Sequence, residues 1–230
     1  MHCIKSLLFA ALSCCMMLAV GCSFDLHDPK ADEYEVQIIG DSIFDFSGDV
    51  QTILKTKSGK MYKDRSVSGE KIAGILDQYD RAIAKTPTMK TVLADGGGND
   101  ILQGSMDCES DPLTQGCIDV IDYVADRMEV LFEEMYQDGV ADCLWLGYYY
   151  LKDGQAEKNE ALDYAYTLYD SVIPDASLNL YGPGGLHAID PRPHIQPQHI
   201  KSDDIHPTWS GSEILADLLW DVMVQEDTYR

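Results

Sequence analysis

The sequence has few basic residues: 17 Lys and Arg stand against 39 Asp and Glu, for a net charge of −22 over 230 residues. A chain this negative is repelled by phosphate backbones, which argues against nucleic acid as a partner. Internal repeats and long heptad patterns are also lacking, which excludes a solenoid or a coiled coil. A hydrophobic content of 45% excludes a disordered chain, and the length suits a single globular domain.

The N-terminal hydrophobic run is too short to cross a bilayer as a helix. It extends from Leu7 to Val20, about 14 residues, whereas a membrane span needs roughly 20. Lys5 precedes the run with a positive charge, and small residues end it. This pattern is typical of a signal peptide, so we expect residues 1–21 to direct export and to lie outside the fold.

The end of this segment, Ala19-Val20-Gly21-Cys22, resembles the lipobox of bacterial lipoproteins. The resemblance implies that Cys22 carries a lipid and that Ser23, not being Asp, permits delivery to the outer membrane. The alternative is an ordinary secretory signal, with a periplasmic or secreted product. In either case we expect a polar linker over residues 22–34 and the folded domain over residues 35–230.

Cysteine is scarce in the part that is expected to fold. Only Cys108, Cys117 and Cys143 lie beyond Cys22. In an oxidising compartment Cys108 and Cys117 could close the short acidic loop between them as a disulfide. Cys143 lies in an apolar run and is expected to be a buried free thiol. A three-cysteine metal site lacks the close spacing that such sites have.

Short β-branched runs alternate with helical periodicity along the rest of the chain. Strands following helices in this way predict an α/β fold, with a parallel sheet covered by helices on both faces and a site at the carboxyl ends of the strands. The predicted strands are 35–39, 61–67, 91–94, 143–151 and 178–181. The predicted helices are 70–84, 118–136, 157–173 and 210–224, with a Pro-, Gly- and His-rich loop over 182–206.

Four polar motifs follow the predicted strands or precede the last helix. A serine at a strand-to-helix turn has an exposed hydroxyl, and a glycine after a strand lets its N–H approach a ligand closely. An asparagine amide can donate to an oxyanion, and an acid three residues before a histidine can hold its Nδ1 and leave Nε2 as a base. The motifs are Gly40-Asp41-Ser42-Ile43, Ser66-Val67-Ser68-Gly69, Gly97-Gly98-Asn99-Asp100 and Asp203-Asp204-Ile205-His206-Pro207.

Together and in this order, the four motifs resemble those of the SGNH (GDSL) hydrolase family, over essentially the whole mature chain. The resemblance implies a three-layer α/β/α sandwich with a flavodoxin-like parallel sheet. It implies Ser42 as nucleophile, His206 as general base and Asp203 as the group that orients it. Gly69 and Asn99 would join the Ser42 N–H as oxyanion donors.

Two departures from that resemblance and one competing residue are visible. Ile43 stands where the family more often has Leu, which changes a packing residue only. Asp204 is a rival for the orienting role, although its spacing from the histidine does not match the family. Asp95, an acid just before the glycine triplet, has no explanation from the sequence.

Some residues invite other interpretations. His187, His194 and His199 suggest a metal, but their spacing matches no common ligand pattern, so we expect no metal and a loop bordering the cleft. Trp145 and the three tyrosines 148–150 could line an acyl or sugar pocket, although strand core is favoured. Asp107 to Asp111 could bind calcium, but a solvated loop closed by the disulfide is favoured.

The resulting hypothesis is an exported serine esterase that needs no cofactor. Its expected substrates are small-molecule carboxylic esters, with short acyl chains or of lysophospholipid type, and its only contact with a membrane would be the lipid on Cys22. The alternatives are an acyltransferase that uses the same triad and a lipoprotein that binds acyl or glycan groups without turnover.

Overall fold

The structure, a computed structural model, describes residues 33–176, 180–181 and 185–229. The predicted signal peptide, Cys22 and most of the predicted linker therefore lie outside the described residues, as do residues 178 and 179 of the predicted strand 178–181. Residues 180 and 181 are helical, so the strand prediction is wrong for them. The first strand begins at Glu33, two residues before the predicted start of the domain.

The described residues form five strands and seven α-helices, numbered in chain order. The strands are β1 (Glu33–Ile39), β2 (Tyr62–Asp64), β3 (Thr91–Ala94), β4 (Asp142–Leu146) and β5 (Leu186–Ile189). The helices are α1 (Ser42–Asp45), α2 (Asp49–Ser58), α3 (Ile72–Lys85), α4 (Gly98–Leu102), α5 (Gln115–Gln137), α6 (Asn159–Ala176) and α7 (Trp209–Gln225). Short 3₁₀ helices cover Asp153–Lys158 and Pro197–His199.

All five strands pair in parallel, in the order β2-β1-β3-β4-β5. Successive side chains of a strand point to opposite faces, so a fully buried strand such as β3 contributes to two cores. Val92 packs in a core with α3, α5 and α6, whereas Leu93 packs in the other core with α2 and α7. The sheet is therefore the middle layer of an α/β/α sandwich, as predicted.

Two further parts of the predicted secondary structure are wrong. Strand β4 ends at Leu146 rather than at residue 151, and the three tyrosines that follow lie in a loop at the carboxyl edge of the sheet. Strand β5 lies inside the segment 182–206 that was predicted as a loop. Its partner is the interior strand β4, so tertiary pairing overrides the Pro- and Gly-rich composition of the surrounding sequence.

Helix α2 is absent from the sequence-based prediction. Its apolar residues Val50, Ile53 and Leu54 are buried but few, and Gly48 at its N-cap makes no side-chain cap. The helix packs against α7, and this tertiary contact supplies the stability that its sequence signal lacks.

The cysteines of the folded domain behave as expected. Cys108 and Cys117 form a disulfide that closes the acidic loop before α5. Cys143 is a buried free thiol in β4, and burial raises its pKa, so the thiol is not a reactive nucleophile. No helix among residues 33–229 that the structure describes is both long and apolar enough to cross a bilayer.

Candidate active site

Ser42 lies at the turn between β1 and α1, at the carboxyl edge of the sheet. The turn begins at Gly40, which has a φ of +151° that residues with a side chain rarely adopt. Asp41 then caps α1, because its Oδ1 accepts a hydrogen bond from the N–H of Ile43 at 3.0 Å. Ser42 is the first residue of the helix, and its partly exposed side chain lines a cleft.

His206 is held by Asp203 in the loop before α7. Its Nδ1 lies 2.9 Å from Asp203 Oδ2, and Asp203 Oδ1 accepts the backbone N–H groups of Ile205 and His206 at 3.0 and 2.9 Å. Burial pushes the pKa of the Asp203 carboxyl upward, but the bonds from His206 and Ile205 outweigh it and leave the pKa below its ordinary value. Asp203 is therefore a carboxylate at neutral pH, and the imidazole retains Nε2 as a base.

Asp204, the rival for the orienting role, points elsewhere. It has a positive φ of +67°, and its Oδ2 accepts a hydrogen bond from the backbone N–H of Gly154 at 3.2 Å. Because the backbone at Asp204 is left-handed, the carboxylates of Asp203 and Asp204 point in different directions. The structure thus assigns the contact with His206 to Asp203.

The loop after β2 presents Gly69 to the same cleft. The N–H of Glu70 bonds to the carbonyl oxygen of Val67 at 3.1 Å and closes a tight turn, in which Gly69 takes a φ of +81°. Asp45 in α1 anchors this turn, because its Oδ2 accepts the backbone N–H of Ser68 at 2.7 Å. The anchor connects the turn that holds Gly69 directly to the helix that begins at Ser42.

The amide of Asn99, at the start of α4, is fully engaged inside the protein. Its Nδ2 donates to Asp41 Oδ2 at 3.1 Å and to the carbonyl oxygen of Glu70 at 3.0 Å, and its Oδ1 accepts from Gln103 at 2.8 Å. An oxyanion would therefore have to share or replace one of these acceptors. The charged acceptor, Asp41, forms the stronger bond, so the bond to Glu70 is the one that an oxyanion can displace.

Four of the residues singled out from the sequence line one cleft of about 490 Å³: Ser42, Gly69, Asn99 and His206. Asp203 reaches the cleft through its bond to His206. The remaining walls include an exposed aromatic ring, apolar side chains and polar amides, contributed by Phe46, Ser68, Leu102, Gln103, Gln155 and Ile205. The ring of Phe46 stacks on the imidazole of His206, with ring centroids 4.2 Å apart and planes 10° apart.

Two tyrosines after β4 contribute to the site, although the sequence favoured strand core for them. The hydroxyl of Tyr148 donates to Asp41 Oδ2 at 2.6 Å, and that of Tyr149 donates to the carbonyl oxygen of Ile205 at 2.7 Å. Burial raises the pKa of the Asp41 carboxyl, and the bond from Tyr148 only partly opposes this effect. Trp145, by contrast, is core as predicted. The signal available in the sequence was Gly147, which interrupts the apolar run where β4 ends.

A second, almost entirely apolar cavity of about 50 Å³ lies next to the cleft. Leu102 lines both spaces, so the cavity adjoins the cleft at this side chain. The other walls of the cavity come from the glycines before Asn99, helix α4, the loop after β4, and helices α5 and α6: Gly97, Gly98, Ile101, Ile121, Val124, Tyr148, Tyr149, Leu151, Leu162, Ala165 and Tyr169. The aliphatic part of Lys158 completes the lining, while its amino group bonds to Glu109 and Gln155.

The histidines of the 182–206 segment do not lie together at this site. His187 is in β5 and its Nε2 lies 3.8 Å from Asp142, at the opposite edge of the sheet, while His199 lines a different groove beside Trp209. Neither residue lines the cleft, which the described residues of the predicted loop 182–206 border only at the end of the loop, through Ile205 and His206. Across residues 33–229, within the part described, no group of three His, Cys, Asp or Glu side chains could hold a metal ion. In the acidic loop, Asp107 bonds to Glu109 and Ser110 of its own turn.

No known protein-family profile matches the sequence, and no curated protein matches it. Solved structures do resemble the fold. The lipase Lip_vut3 from a goat rumen metagenome is 13% identical, with 81% of this chain and 96% of that chain covered at a TM-score of 0.63. TesA is 17% identical, with 83% and 98% covered at 0.61. A mutant of Axe2, an acetyl-xylooligosaccharide esterase from Geobacillus, is 14% identical, with 82% and 93% covered at 0.60.

At these identities the similarity concerns the fold alone. The sheet order, the two helical layers and the cleft at the carboxyl edge agree with the fold that the four motifs predicted. The chain therefore has the α/β/α fold of the SGNH hydrolases, shared with solved esterases and acylhydrolases.

Proposed function

We propose that this protein is an exported serine esterase that hydrolyses small carboxylic esters through an acyl-enzyme. The observation that supports the proposal most directly is that Ser42 lines one cleft with His206, whose Nδ1 is held by Asp203. Nucleophile, base and orienting acid are the three groups that this chemistry needs, and the fold is one that solved esterases use.

The residues suggest a two-step reaction. Ser42 Oγ attacks the ester carbonyl carbon while His206 Nε2 takes its proton, and the imidazolium, stabilised by Asp203, then protonates the departing alcohol. Water then attacks the acyl-enzyme in the same way, with His206 as the base, and the carboxylic acid and free Ser42 are released. The negative oxygen of each tetrahedral intermediate would accept hydrogen bonds from the N–H groups of Ser42 and Gly69 and from the amide of Asn99.

The substrate class follows from the apolar cavity behind Leu102. A chain bound there would leave water and contact only carbon over most of its surface, which favours an acyl group over a sugar or a charged group. Its volume of about 50 Å³ corresponds to about four water-sized spheres, which is room for a short acyl chain. We therefore propose acetyl to butyryl esters rather than long-chain lysophospholipids as the preferred substrates.

Hydrolysis of p-nitrophenyl esters from acetate to dodecanoate by the full-length protein tests this proposal. We expect the highest kcat/KM at two to four acyl carbons and no activity in Ser42→Ala. A fluorophosphonate probe should label the parent and not the variant. A folded parent that neither turns over any ester nor reacts with the probe would refute the enzyme and favour a protein that binds acyl or glycan groups.

An acyltransferase would use the same residues and is distinguished by its products. Adding glycerol or a sugar as acceptor should leave the product of a hydrolase as free acid. Transfer of most acyl groups to the acceptor, at a concentration far below that of water, would instead identify a transferase.

The export of the protein is a separate part of the proposal and rests on residues 1–22 alone. The lipobox-like end predicts that Cys22 is acylated and holds the domain on the outer membrane. Radioactive palmitate should label the parent in bacteria, and Cys22→Ser should lose the label while Cys143→Ser keeps it. Secretion of an unlabelled parent would instead indicate an ordinary signal peptide.

A further inference from the structure

Gln78 holds the backbone immediately before the nucleophile. It lies in α3, its side chain is 1% exposed, and it does not line the cleft. The backbone N–H of Gly40 donates to Gln78 Oε1 at 2.8 Å, and Gln78 Nε2 donates to the carbonyl oxygen of Gly40 at 2.9 Å. A single side-chain amide thus engages both polar backbone groups of Gly40, across 38 residues of sequence.

Asp95 holds the same Gly40–Asp41 peptide group from its N–H side. It follows β3, is also 1% exposed, and its Oδ1 accepts the backbone N–H of Asp41 at 2.7 Å. The carboxyl group lies so close to Gly40 that a Cβ on that residue would overlap it, which together with the positive φ requires glycine there. The acid that the sequence left unexplained is therefore in direct contact with the nucleophile turn.

The presence of an aspartate at position 95 is not explained by the stability of the fold alone. Its Oδ2 is buried and has no hydrogen-bond partner among the described residues, which costs folding free energy. Burial and the nearby Asp41 raise the pKa of the Asp95 carboxyl well above its ordinary value, so the charged form is disfavoured as well. A buried polar atom that lacks a hydrogen-bond partner and lies next to reacting residues is typical of a position that is constrained by function.

We propose that Gln78 and Asp95 are positioning residues for Ser42: they fix the Gly40–Asp41 backbone from α3 and β3, and thereby the place of the Ser42 hydroxyl in the cleft. The inference rests on the proposed esterase function. Neither residue touches the substrate, so their effect passes through the nucleophile turn. A displacement of the hydroxyl by about 1 Å costs on the order of 10²-fold in rate.

The test compares Gln78→Leu, Asp95→Ala and Asp95→Asn with the parent as full-length proteins. We expect Gln78→Leu and Asp95→Ala to lose about 10²-fold in kcat and in the rate of fluorophosphonate labelling, with little change in KM. Asp95→Asn keeps an oxygen acceptor of the same shape for the Asp41 N–H. It should recover kcat to within about tenfold of the parent.

Gln51→Leu is the matched control. Gln51 is a buried glutamine of α2, 2% exposed, whose Nε2 donates to the carbonyl oxygen of Tyr62 at 2.7 Å, away from the cleft. The Gln51→Leu variant should lose unfolding free energy, as Gln78→Leu does, but should keep the kcat of the parent. If Gln78→Leu does not fold, the comparison of Asp95→Ala with Asp95→Asn decides.

The inference is overturned if the Gln78 and Asp95 variants keep the kcat and labelling rate of an active parent. It is equally overturned if Asp95→Asn is as slow as Asp95→Ala, or if Gln51→Leu loses as much kcat as Gln78→Leu. A parent without turnover or labelling refutes the proposed function, and the positioning role with it.

Discussion

Removal of one hydroxyl, in Tyr148→Phe, tests the hydrogen-bond network under the oxyanion site. The hydroxyl donates to Asp41 Oδ2, the same oxygen that accepts from Asn99. A hydrogen bond to a charged group contributes about 1.5–3 kcal/mol, so the variant should lose about that much unfolding free energy at neutral pH. The aromatic ring remains in the wall of the apolar cavity, so the acyl-chain preference should not change.

The effect on turnover should be smaller than that of deleting an oxyanion donor. Loss of one such donor costs about 10²–10³-fold in kcat. In Tyr148→Phe the amide of Asn99 keeps its bonds to Glu70 and Gln103 and loses only the support of a well-held Asp41. We therefore expect about a tenfold fall in kcat, equivalent to about 1.4 kcal/mol.

The loss of stability should depend on pH in a defined direction. The folded-state pKa of Asp41 is already raised by burial, and loss of the bond from Tyr148 raises it further. Between the unfolded-state pKa, about 3.9, and the higher folded pKa, the native protein binds more protons, so stability falls as pH rises. This fall in stability is larger in the variant. The difference in unfolding free energy between the variant and the parent should therefore shrink as the pH is lowered towards about 4.

Denaturant unfolding from pH 4 to 8 and ester kinetics at neutral pH measure these effects. Tyr79→Phe is the control, because Tyr79 is buried and its hydroxyl donates to Asp138 at 3.0 Å, away from the cleft. It should lose stability and keep its kcat. A Tyr148→Phe protein with the kcat of the parent, or with a stability loss that is constant over this pH range, would refute the reasoning.

Three further predictions concern the triad, the cavity and the disulfide. Asp203→Asn should lower kcat on the order of 10⁴-fold, whereas Asp204→Asn should change it little; equal losses in steady-state assays would contradict the assignment. Leu102→Ala enlarges the space where the apolar cavity adjoins the cleft, so the optimum of the p-nitrophenyl ester series should move to longer acyl chains, and an unchanged optimum would place the acyl group elsewhere. Reducing the Cys108–Cys117 bridge opens a loop with a sequence separation of 9 and should cost about 2.6 kcal/mol in denaturant unfolding, while a loss below about 1 kcal/mol would contradict this.

The location of the site could be predicted because it depends on strand order along the chain. In a parallel sheet the carboxyl ends of all strands meet at one edge, so polar motifs after β1, β2 and β3 must lie near one another. Ser42, Gly69 and Asn99 follow this rule and share one cleft. The pairing of Asp203 with His206 was equally accessible, since the two residues are only three positions apart.

The prediction failed where tertiary contacts outweigh local sequence. Strand β5 has little strand signal of its own and forms because it completes the sheet beside β4. Tyr148 and Tyr149 were expected in strand core because the apolar run resumes after Gly147, the local sign that β4 ends. Tyr149 is buried, but in the loop after the strand. The hydroxyls of the two tyrosines bond to residues 107 and 56 positions away, which no local pattern can indicate.

The sequence by itself determined the fold class and the edge of the sheet that carries the site, because these depend on periodicity and on short spacings. The identity of the candidate triad came from the resemblance of the four motifs to those of the SGNH hydrolases. Only the tertiary structure decided that Asp41 accepts hydrogen bonds from Tyr148 and Asn99, that an apolar cavity adjoins the cleft at Leu102, and that Asp95 supports the nucleophile turn. The physical reason is that buried polar groups must find partners wherever the fold brings donors and acceptors together, and those partners are distant in sequence.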